Sequence, residues 1–251
     1  MTDQIARARA FLALHKPGNP LVLFNVWDAG SANHAAQAGA SAIATGSASV
    51  GWALGFGDAQ AVPLDLVLEN AARICGAVDL PVSLDFEGGY AVDTGELAAN
   101  FARVIATGVI GCNFEDQVIG GTGLHPVALQ AARIAALRSV NDHAFINART
   151  DIFLKAPSAD HNAAMVDEAL ARGSAYADAG ASGLFLPGLA DEALIAQACA
   201  GSSLPVNIMI TPAIPPRARL AELGVARISH GPGPWRLVMK AFEDAARAAM
   251  G

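Results

Sequence analysis

Acidic residues lie at the ends of two neighbouring apolar runs of the sequence. Asp85 and Glu87 end the run that begins at Pro81, and Glu115 ends the next run, which begins at Gly111. Residues two apart on a strand point to the same side, and adjacent strands lie about 4.8 Å apart, so these carboxylates are expected to converge. Converging carboxylates repel one another unless a cation neutralises them, and Mg²⁺ prefers such oxygen ligands. The spacing predicts a Mg²⁺ site formed by Asp85, Glu87 and Glu115, with Mn²⁺ as a substitute; helix capping or pairing with arginines is the alternative.

An arginine and a turn of small residues follow two further apolar runs. Arg149 ends the run Ala144–Arg149, and a guanidinium in such a place binds a carboxylate or a phosphoryl group through two parallel hydrogen bonds. A salt bridge to Asp151 is the alternative. The turn Thr45–Ser49 allows backbone N–H groups to approach a carboxylate or an oxyanion, and a Gly-rich loop is predicted from there to Asp58. These residues predict an anion-binding site beside the metal.

One histidine lies where it could supply acid–base chemistry. His125 follows Gly120–Leu124, a flexible stretch directly beyond the Glu115 strand. Such a stretch is typical of a mobile lid that carries an acid–base group over a site. His15 and His143 lie at predicted helix ends or connections and are expected on the surface.

Short apolar runs alternate with Ala-rich segments of helical spacing along the chain. Continuous apolar runs indicate strands buried on both faces, as in a parallel sheet. Eight such strands alternating with helices predict an α/β fold, a (β/α)8 TIM barrel formed by one domain over residues 1–251, with catalytic groups at the C-terminal ends of its strands. The alternative, an open doubly wound sheet, would carry a Gly-rich turn after the first strand, where this chain has Asn25-Val26-Trp27-Asp28. The eight runs are Leu21–Val26, Ser41–Thr45, Pro81–Phe86, Gly111–Glu115, Ala144–Arg149, Gly183–Leu186, Pro205–Met209 and Ala226–Ser229.

The composition excludes several classes of function. A net charge of −7 disfavours nucleic acid as a partner, because its binding needs clustered Lys and Arg. An apolar run long enough for a membrane span and a signal peptide are both missing, so a cytoplasmic protein is expected. The 3 cysteines are far apart and are expected to be reduced thiols. The lysines (Lys16, Lys155 and Lys240) do not end predicted strands, which disfavours Schiff-base chemistry.

Several motifs, in order, resemble the isocitrate lyase / phosphoenolpyruvate mutase superfamily. They are Asn25-Val26-Trp27-Asp28-Ala29, Thr45-Gly46-Ser47, Asp58, Asp85-Phe86-Glu87-Gly88-Gly89-Tyr90, Phe114-Glu115-Asp116-Gln117, Asn147-Ala148-Arg149-Thr150-Asp151, Leu186-Pro187-Gly188 and Arg227-Ile228-Ser229-His230-Gly231. The resemblance implies Mg²⁺ and a 2-oxo or 2-hydroxy acid substrate that passes through an enolate-like species. It also implies a homodimer or homotetramer whose barrels exchange their last helix.

The resemblance also assigns roles by position. Ser47, with Gly46 and Ala48, would hold the substrate carboxylate and oxyanion. Asp85 would be the principal metal ligand, with Asp58, Glu87 and Glu115 acting directly or through water. The remaining substrate-binding positions are Trp27, Thr45, Arg149 and Asn207.

The chain departs from this superfamily in the loop that selects the reaction. The isocitrate and methylisocitrate lyases carry a Lys-Lys/Arg-Cys-Gly-His segment, and the aligned residues here are Gly121-Thr122-Gly123-Leu124-His125. Only the histidine remains, and the lysine-bearing loop of the mutase and phosphonopyruvate hydrolase members is also missing. Pro187-Gly188 replaces a glutamate of the methylisocitrate enzymes, and Glu87 replaces a usual aspartate.

The leading hypothesis is a Mg²⁺-dependent lyase or decarboxylase that breaks a C–C bond in a small 2-oxo or 2-hydroxy di- or tricarboxylic acid. Oxaloacetate decarboxylation is its simplest form, and His125 or a water near Asp58 would supply or remove the proton. A P–C bond mutase or hydrolase is the alternative, against which the missing lysine counts. A non-catalytic protein that binds 2-oxo acids is the third hypothesis.

Overall fold

Eight parallel strands form one sheet that curls into a barrel. The computed structural model describes residues 2–251, and the sheet order is β1-β8-β7-β6-β5-β4-β3-β2. A parallel bridge between Val26 and Thr45 joins β1 to β2 and closes the ring. The (β/α)8 prediction and all eight predicted strands are confirmed. The strands are β1 (Leu21–Leu23), β2 (Ile43–Ala44), β3 (Val82–Asp85), β4 (Gly111–Glu115), β5 (Phe145–Arg149), β6 (Gly183–Phe185), β7 (Val206–Met209) and β8 (Arg227–Ser229).

Helices follow the strands and cover the outside of the barrel. They are α1 (Thr2–Ala13), α2 (Ala29–Gln37), α3 (Ser47–Ala53), α4 (Leu64–Ala77), α5 (Thr94–Ala106), α6 (Val127–Val140), α7 (Ala163–Asp178), α8 (Glu192–Gly201), α9 (Arg217–Glu222) and α10 (Gly233–Met250), with a 3-10 turn at Ser158–Asp160. Asp28 caps α2, since its Oδ1 accepts the Ser31 N–H at 2.7 Å. Along the described chain, none of these helices has both the length and the apolar character to span a membrane.

The predicted Gly-rich loop from Ser49 to Asp58 is partly wrong, because its first half belongs to helix α3. Gly51 lies within α3, although glycine is unfavourable in helices and typical of loops. A Cβ on this residue would lie 2.4 Å from the carbonyl oxygen of Gly57, so the chain after α3 folds back against the helix only because Gly51 has no side chain. This return brings Asp58 to the mouth of the barrel.

Helix α1 closes the N-terminal end of the barrel. Phe11 is fully buried against Phe145 at a ring distance of 5.1 Å. His15 stacks on Phe145 at 4.2 Å and is 9% exposed. The expectation of a surface position for His15 was wrong, because the segment around it packs beneath the strands instead of connecting two surface elements.

The buried His15 makes stability sensitive to acid. Burial, assisted by Arg227, lowers the pKa of His15 to about 3, whereas an unfolded histidine titrates near 6.5. Only the unfolded chain takes up this proton between those values, so the contribution is complete above about pH 6.5 and is lost as the pH falls towards 3. Between pH 7 and pH 5 we expect His15 to account for about 2 kcal/mol of lost stability.

Urea unfolding of the wild type and of His15→Gln at both pH values measures this effect. We expect the variant to lose less stability on acidification than the wild type. The exposed His143→Gln is the matched control and should behave as the wild type. Equal pH sensitivity in His15→Gln and the wild type would show that His15 does not carry the effect.

Helix α10 leaves an apolar face exposed. Leu237 and Phe242 are 65% and 70% exposed, although Trp235 near its start contacts Trp52 at a ring distance of 5.0 Å. A separate groove on the barrel wall lies between β1 and α2 and contains Val22, Phe24 and other apolar side chains. Large exposed apolar surfaces of this kind mark interaction sites.

Candidate active site

A cavity of about 180 Å³ opens at the C-terminal ends of the strands. It brings together Ser47, Asp58, Asp85 and Arg149, which belong to a helix, a loop and two strands at separate places in the sequence. The barrel alone explains this meeting, because all its strands are parallel and end at the same rim. The lining residues are Asn25, Gly46, Ser47, Ala48, Asp58, Asp85, Asn113, Arg149, Leu154, Phe185, Pro187, Met209, Ser229, Gly231 and Pro232.

Asp85 is held towards the cavity by three neighbours. Its backbone N–H donates to Thr45 Oγ1 at 2.9 Å, which places Thr45 as a buried support of β3. Its Oδ2 accepts the Ser47 N–H at 3.0 Å, and its Oδ1 accepts the Asn113 NH2 at 3.5 Å. The Ser47 hydroxyl in turn donates to Asp58 Oδ1 at 3.1 Å. Asp58 and Asp85 therefore both line the cavity, and Ser47 is hydrogen-bonded to each of them.

Glu87 lies beside Asp85 in a left-handed backbone conformation, with φ of +51°. Its Oε2 accepts the backbone N–H of Gln60 at 2.7 Å. Burial raises the pKa of Glu87 to about 8, reinforced by Asp85 and partly opposed by the Gln60 hydrogen bond. Such a carboxyl group is ionised at neutral pH only when a cation compensates its charge. Gly88 permits this turn, because a Cβ there would lie 2.9 Å from Gln60 Oε1.

Arg149 is half-buried and lies between two carboxylates at the end of β5. Its NH1 lies 2.8 Å from Glu115 Oε2, and its Nε and NH2 donate to Asp151 at 2.6 and 2.9 Å. The salt bridge to Asp151 therefore exists, and it fixes the guanidinium at the rim of the cavity. These contacts occupy three of the five N–H donors of a guanidinium, which leaves the others for a ligand.

The charges of this pair depend on burial. Burial raises the pKa of Glu115 to about 7, although Arg149 opposes the rise. Burial alone would lower the pKa of Arg149, but Glu115 and Asp151 raise it above its ordinary value. The arginine is consequently a permanent cation, and its charge limits the rise in the pKa of Glu115.

The predicted metal ligands do not form a complete shell. Across residues 2–251, no three His, Cys, Asp or Glu side chains are grouped closely enough to hold a metal ion by themselves. Glu87 faces Gln60 and Glu115 faces Arg149, whereas Asp85 lines the cavity. Mg²⁺ is commonly bound by one or two carboxylates and completes its octahedron with water and substrate oxygens. The hard oxygen donors and their excess negative charge fit such an ion, and the ligand assignment stays a prediction.

The turn after β2 offers fewer free N–H groups than expected. Gly46 donates its N–H to Val26 O at 3.2 Å, which closes the barrel, and Ser47 donates to Asp85. Ala48 lines the cavity in the first turn of α3, where backbone N–H groups have no partner within the helix. Among the predicted anion-binding amides, Ala48 is the one that remains available.

Six predicted site residues lie outside the cavity lining; Thr45, Glu87 and Glu115 are described above, and the other three are Trp27, Asn207 and His125. Trp27 is half-buried, and its backbone N–H donates to Ser31 Oγ at 3.1 Å at the start of α2. Asn207 is buried beneath the cavity, where it donates to Ser229 Oγ at 3.1 Å. His125 is 7% exposed, and its backbone N–H donates to Asp116 O at 2.7 Å. Their roles in binding or proton transfer stay predictions.

The loop that contains His125 is short and internally bonded. A bridge joins Gln117 to Leu124, and the Val118 N–H donates to Gly123 O at 3.2 Å. Burial, assisted by Arg133, lowers the pKa of His125, so its imidazole is neutral at pH 7. Beneath the loop, Asp116 is fully buried and pairs with Arg172 at 3.3 Å.

Sequence reasoning missed several cavity residues. Asn113 lies two residues before Glu115 and points to the same side of β4, so the rule that grouped Asp85 with Glu87 could have identified it. Asn25 joins the segments that follow β1 and β8, because its Oδ1 accepts the backbone N–H groups of His230 and Gly231 at 2.9 Å each. The apolar side of the cavity had no local signal; it consists of Leu154, Phe185, Pro187 and Met209.

The chain matches the phosphoenolpyruvate phosphomutase family over residues 11–250. It is 30% identical over 211 residues to an oxaloacetate decarboxylase from Ectopseudomonas mendocina (strain ymp), covering 79% of this chain and 68% of that protein. It is 28% identical over 217 residues to the 2-methylisocitrate lyase of Escherichia coli K12, covering 80% and 72%.

Solved structures agree with this relationship. A candidate phosphonomutase from Burkholderia cenocepacia J2315 superposes with a TM-score of 0.96 at 47% identity, covering 98% of this chain and 99% of that one. A phosphonopyruvate hydrolase in complex with oxalate and Mg²⁺ has the same fold, with a TM-score of 0.84 at 20% identity and coverage of 97% and 87%. The chain is a member of the phosphoenolpyruvate phosphomutase family, within the isocitrate lyase / phosphoenolpyruvate mutase superfamily, whose named relatives here are lyases, a decarboxylase and P–C enzymes.

Proposed function

We propose that this protein is a Mg²⁺-dependent lyase that breaks a C–C bond in a small 2-oxo or 2-hydroxy acid, with decarboxylation of oxaloacetate as its simplest reaction. The observation that carries the proposal is the cavity itself, in which Asp58 and Asp85 face Arg149. Two carboxylates can bind a divalent cation, and the arginine can bind the carboxylate of a substrate. The relatives named oxaloacetate decarboxylase and 2-methylisocitrate lyase support this class of reaction.

Asp85 would hold Mg²⁺ or Mn²⁺ directly, because it is the carboxylate that its neighbours direct into the cavity. Asp58, Glu87 and Glu115 would act through water. When bound, the ion supplies a Lewis acid that stabilises negative charge on the 2-oxygen of the substrate. The same positive charge would lower the raised pKa of Glu87 and so favour its ionised form.

The residues of this chain would orient the substrate and transfer the proton that the reaction requires. The unoccupied N–H donors of Arg149 bind one carboxylate, and the Ala48 N–H donates to an oxygen of the enolate-like species that remains when the C–C bond breaks. Ser47 and Asp58 are hydrogen-bonded to each other at the cavity and would transfer the proton that this carbon takes up. His125 is the second candidate for this transfer and lies outside the lining, so we assign the role to Asp58 and Ser47.

A P–C bond mutase or hydrolase is the second candidate. The family match and the Burkholderia relative favour it. The cavity favours it less, since Arg149 is the one Lys or Arg side chain among the lining residues within 2–251. A non-catalytic protein that binds 2-oxo acids would keep the same cavity without the proton transfer.

Incubation with oxaloacetate, methylisocitrate and phosphonopyruvate separates these candidates. We expect oxaloacetate or methylisocitrate to be consumed with Mg²⁺, and the reaction to stop with chelator. Release of phosphate from phosphonopyruvate would replace the proposal by the P–C reaction. Thermal stabilisation by these acids without turnover would indicate the binding protein.

We further propose that two copies of the chain exchange their last helices. The apolar side chains of α10 are exposed, and the groove between β1 and α2 lies on the barrel wall where a packed last helix is otherwise expected. A second copy of α10 would fill that groove and bury both surfaces. The outcome is a homodimer or a homotetramer assembled from such pairs.

Phe242→Asp tests the exchange. A charge on this apolar face would have to be buried in the partner, so we expect the assembly to dissociate to monomers at micromolar concentration. Sedimentation velocity measures the state, and Glu243→Gln, on the same helix at an ion-paired exposed position, is the control. An unchanged assembly in Phe242→Asp would exclude α10 from the interface.

A further inference from the structure

A buried arginine crosses the interior of the barrel beneath the cavity. Arg227 of β8 is fully buried, and its NH2 donates to Oδ1 of Asn113 on β4 at 3.0 Å. β4 and β8 are four strands apart in the sheet order, on opposite sides of the barrel. Its other contacts are the Ser229 hydroxyl at 3.3 Å and the Phe11 ring, whose centroid lies 5.9 Å from Cζ, so all of these contacts are neutral. This is an unusual place for a charge that serves only stability, because burying an unpaired cation is unfavourable.

Arg227 decides which way the Asn113 amide points. A guanidinium has donors and no acceptor, so the Asn113 atom that faces it must be the oxygen. The Asn147 NH2 donates to the same oxygen at 2.9 Å. With its oxygen held from below, Asn113 directs its NH2 upward, where it contacts Asp85 and lines the cavity.

The two ends of an asparagine amide have nearly the same shape, so shape alone cannot select one orientation. A flipped Asn113 would present oxygen to Asp85 and to any substrate anion, and would repel both. Burial lowers the pKa of Arg227 to about 9, with Asp85 opposing the fall, so the guanidinium keeps its proton at neutral pH. Its donors therefore hold the amide in one orientation under ordinary conditions.

We propose that Arg227 is a positioning residue that fixes Asn113 as an N–H donor in the cavity floor, where it binds an oxygen acceptor of the substrate. This inference rests on the proposed function and adds to it a contact that selects a carboxylate or 2-oxygen at this point. Asn113 would touch the substrate, whereas Arg227 acts only through Asn113.

Asn113→Asp tests the donor. The variant keeps the size of the side chain, and Arg227 offers its new carboxylate a counter-charge, so we expect it to fold. With oxalate as the probe and Mg²⁺ present, we expect the affinity for oxalate to fall at least about 100-fold, because a donor has become an anion. The affinity for Mg²⁺ alone should stay equal or increase. Asn162→Asp makes the same charge change at an exposed helix cap and should alter neither affinity. Unchanged oxalate affinity in Asn113→Asp would overturn the assignment.

A double-mutant cycle tests the connection between the two residues. We expect Arg227→Met and Asn113→Ala each to weaken oxalate binding about tenfold, and the double variant to be no weaker than Asn113→Ala alone. Additive losses would show that Arg227 acts by another route. Arg227→Gln, which removes the charge but stays similar in size, replaces Arg227→Met if that variant does not fold.

A measurement without metal separates this inference from the proposed function. The side-chain amide resonances of Asn113, identified by their loss in Asn113→Ala, should move and exchange faster with solvent in the Arg227 variants. Unchanged resonances would refute the positioning role even if oxalate binds. Conversely, a wild-type protein that binds neither Mg²⁺ nor oxalate would contradict the proposed function, while the resonances would still test the orientation of Asn113.

Discussion

Asp85→Asn should lower the turnover of oxaloacetate by roughly 1,000-fold or more and abolish measurable Mg²⁺ binding. The substitution removes the negative charge but keeps the shape of the side chain. It also keeps an oxygen that can accept the Ser47 N–H, which lies 3.0 Å from Asp85 Oδ2 in the wild type. A bound divalent ion contributes several kcal/mol of charge stabilisation to such a reaction, and each 1.36 kcal/mol is a factor of ten in rate. Isothermal titration with Mg²⁺ and steady-state kinetics measure the two effects.

The control for Asp85→Asn is Asp65→Asn, an exposed aspartate in the first turn of α4. It changes the net charge equally and should leave both measurements as in the wild type. Circular dichroism should show the same fold for all three proteins. Retention of Mg²⁺ affinity by a folded Asp85→Asn would refute Asp85 as the direct ligand and, with it, the metal-dependent proposal.

Arg149→Met should impair both catalysis and stability. The variant loses the N–H donors that would bind the substrate carboxylate, so we expect turnover at limiting substrate to fall about 100-fold to 1,000-fold. It also leaves Glu115 and Asp151 buried without their cation. Removal of one partner from a buried ion pair typically costs about 3 kcal/mol or more, so the unfolding midpoint should fall clearly.

Arg149→Lys separates the two effects. A lysine retains the positive charge but not the planar arrangement of donors, so stability should be partly restored while KM for the substrate stays high. Arg219→Met removes an arginine that is paired with Glu192 and Glu222 on the surface, and should change neither property. If Arg149→Lys recovered full activity, the two-point binding of a carboxylate by Arg149 would be wrong.

Much of the barrel could be predicted because its information is local. A continuous run such as Gly111–Glu115 is buried on both faces, and its position between Ala-rich helices identifies a parallel strand. The capping of α2 by Asp28 could be predicted for the same reason, since the cap and its helix are adjacent in the sequence. Helix α3 was missed because its Gly51 is typical of a loop, whereas the close approach of Gly57, which requires a glycine there, is visible only in the tertiary structure.

The site was predicted less completely than the fold. Asp85 and Arg149 were identified because each ends a strand, and strand ends meet at one rim. The hydrogen-bond partners of the other two predicted metal ligands were not predicted, since a strand end sets where a side chain starts but not which partner it meets. Glu87 turns to Gln60 through a left-handed backbone, and Glu115 turns to Arg149.

The order of strands along the chain and the residue types at their ends follow from the sequence alone, because the apolar run that predicts a buried strand is a local pattern. The tertiary structure decided which polar groups share their hydrogen bonds. Arg227 reaches Asn113 across the barrel, over 114 residues of sequence, and so determines which face of an amide the cavity presents. No pattern in the sequence predicts that contact, since the two side chains come from strands on opposite sides of a closed barrel.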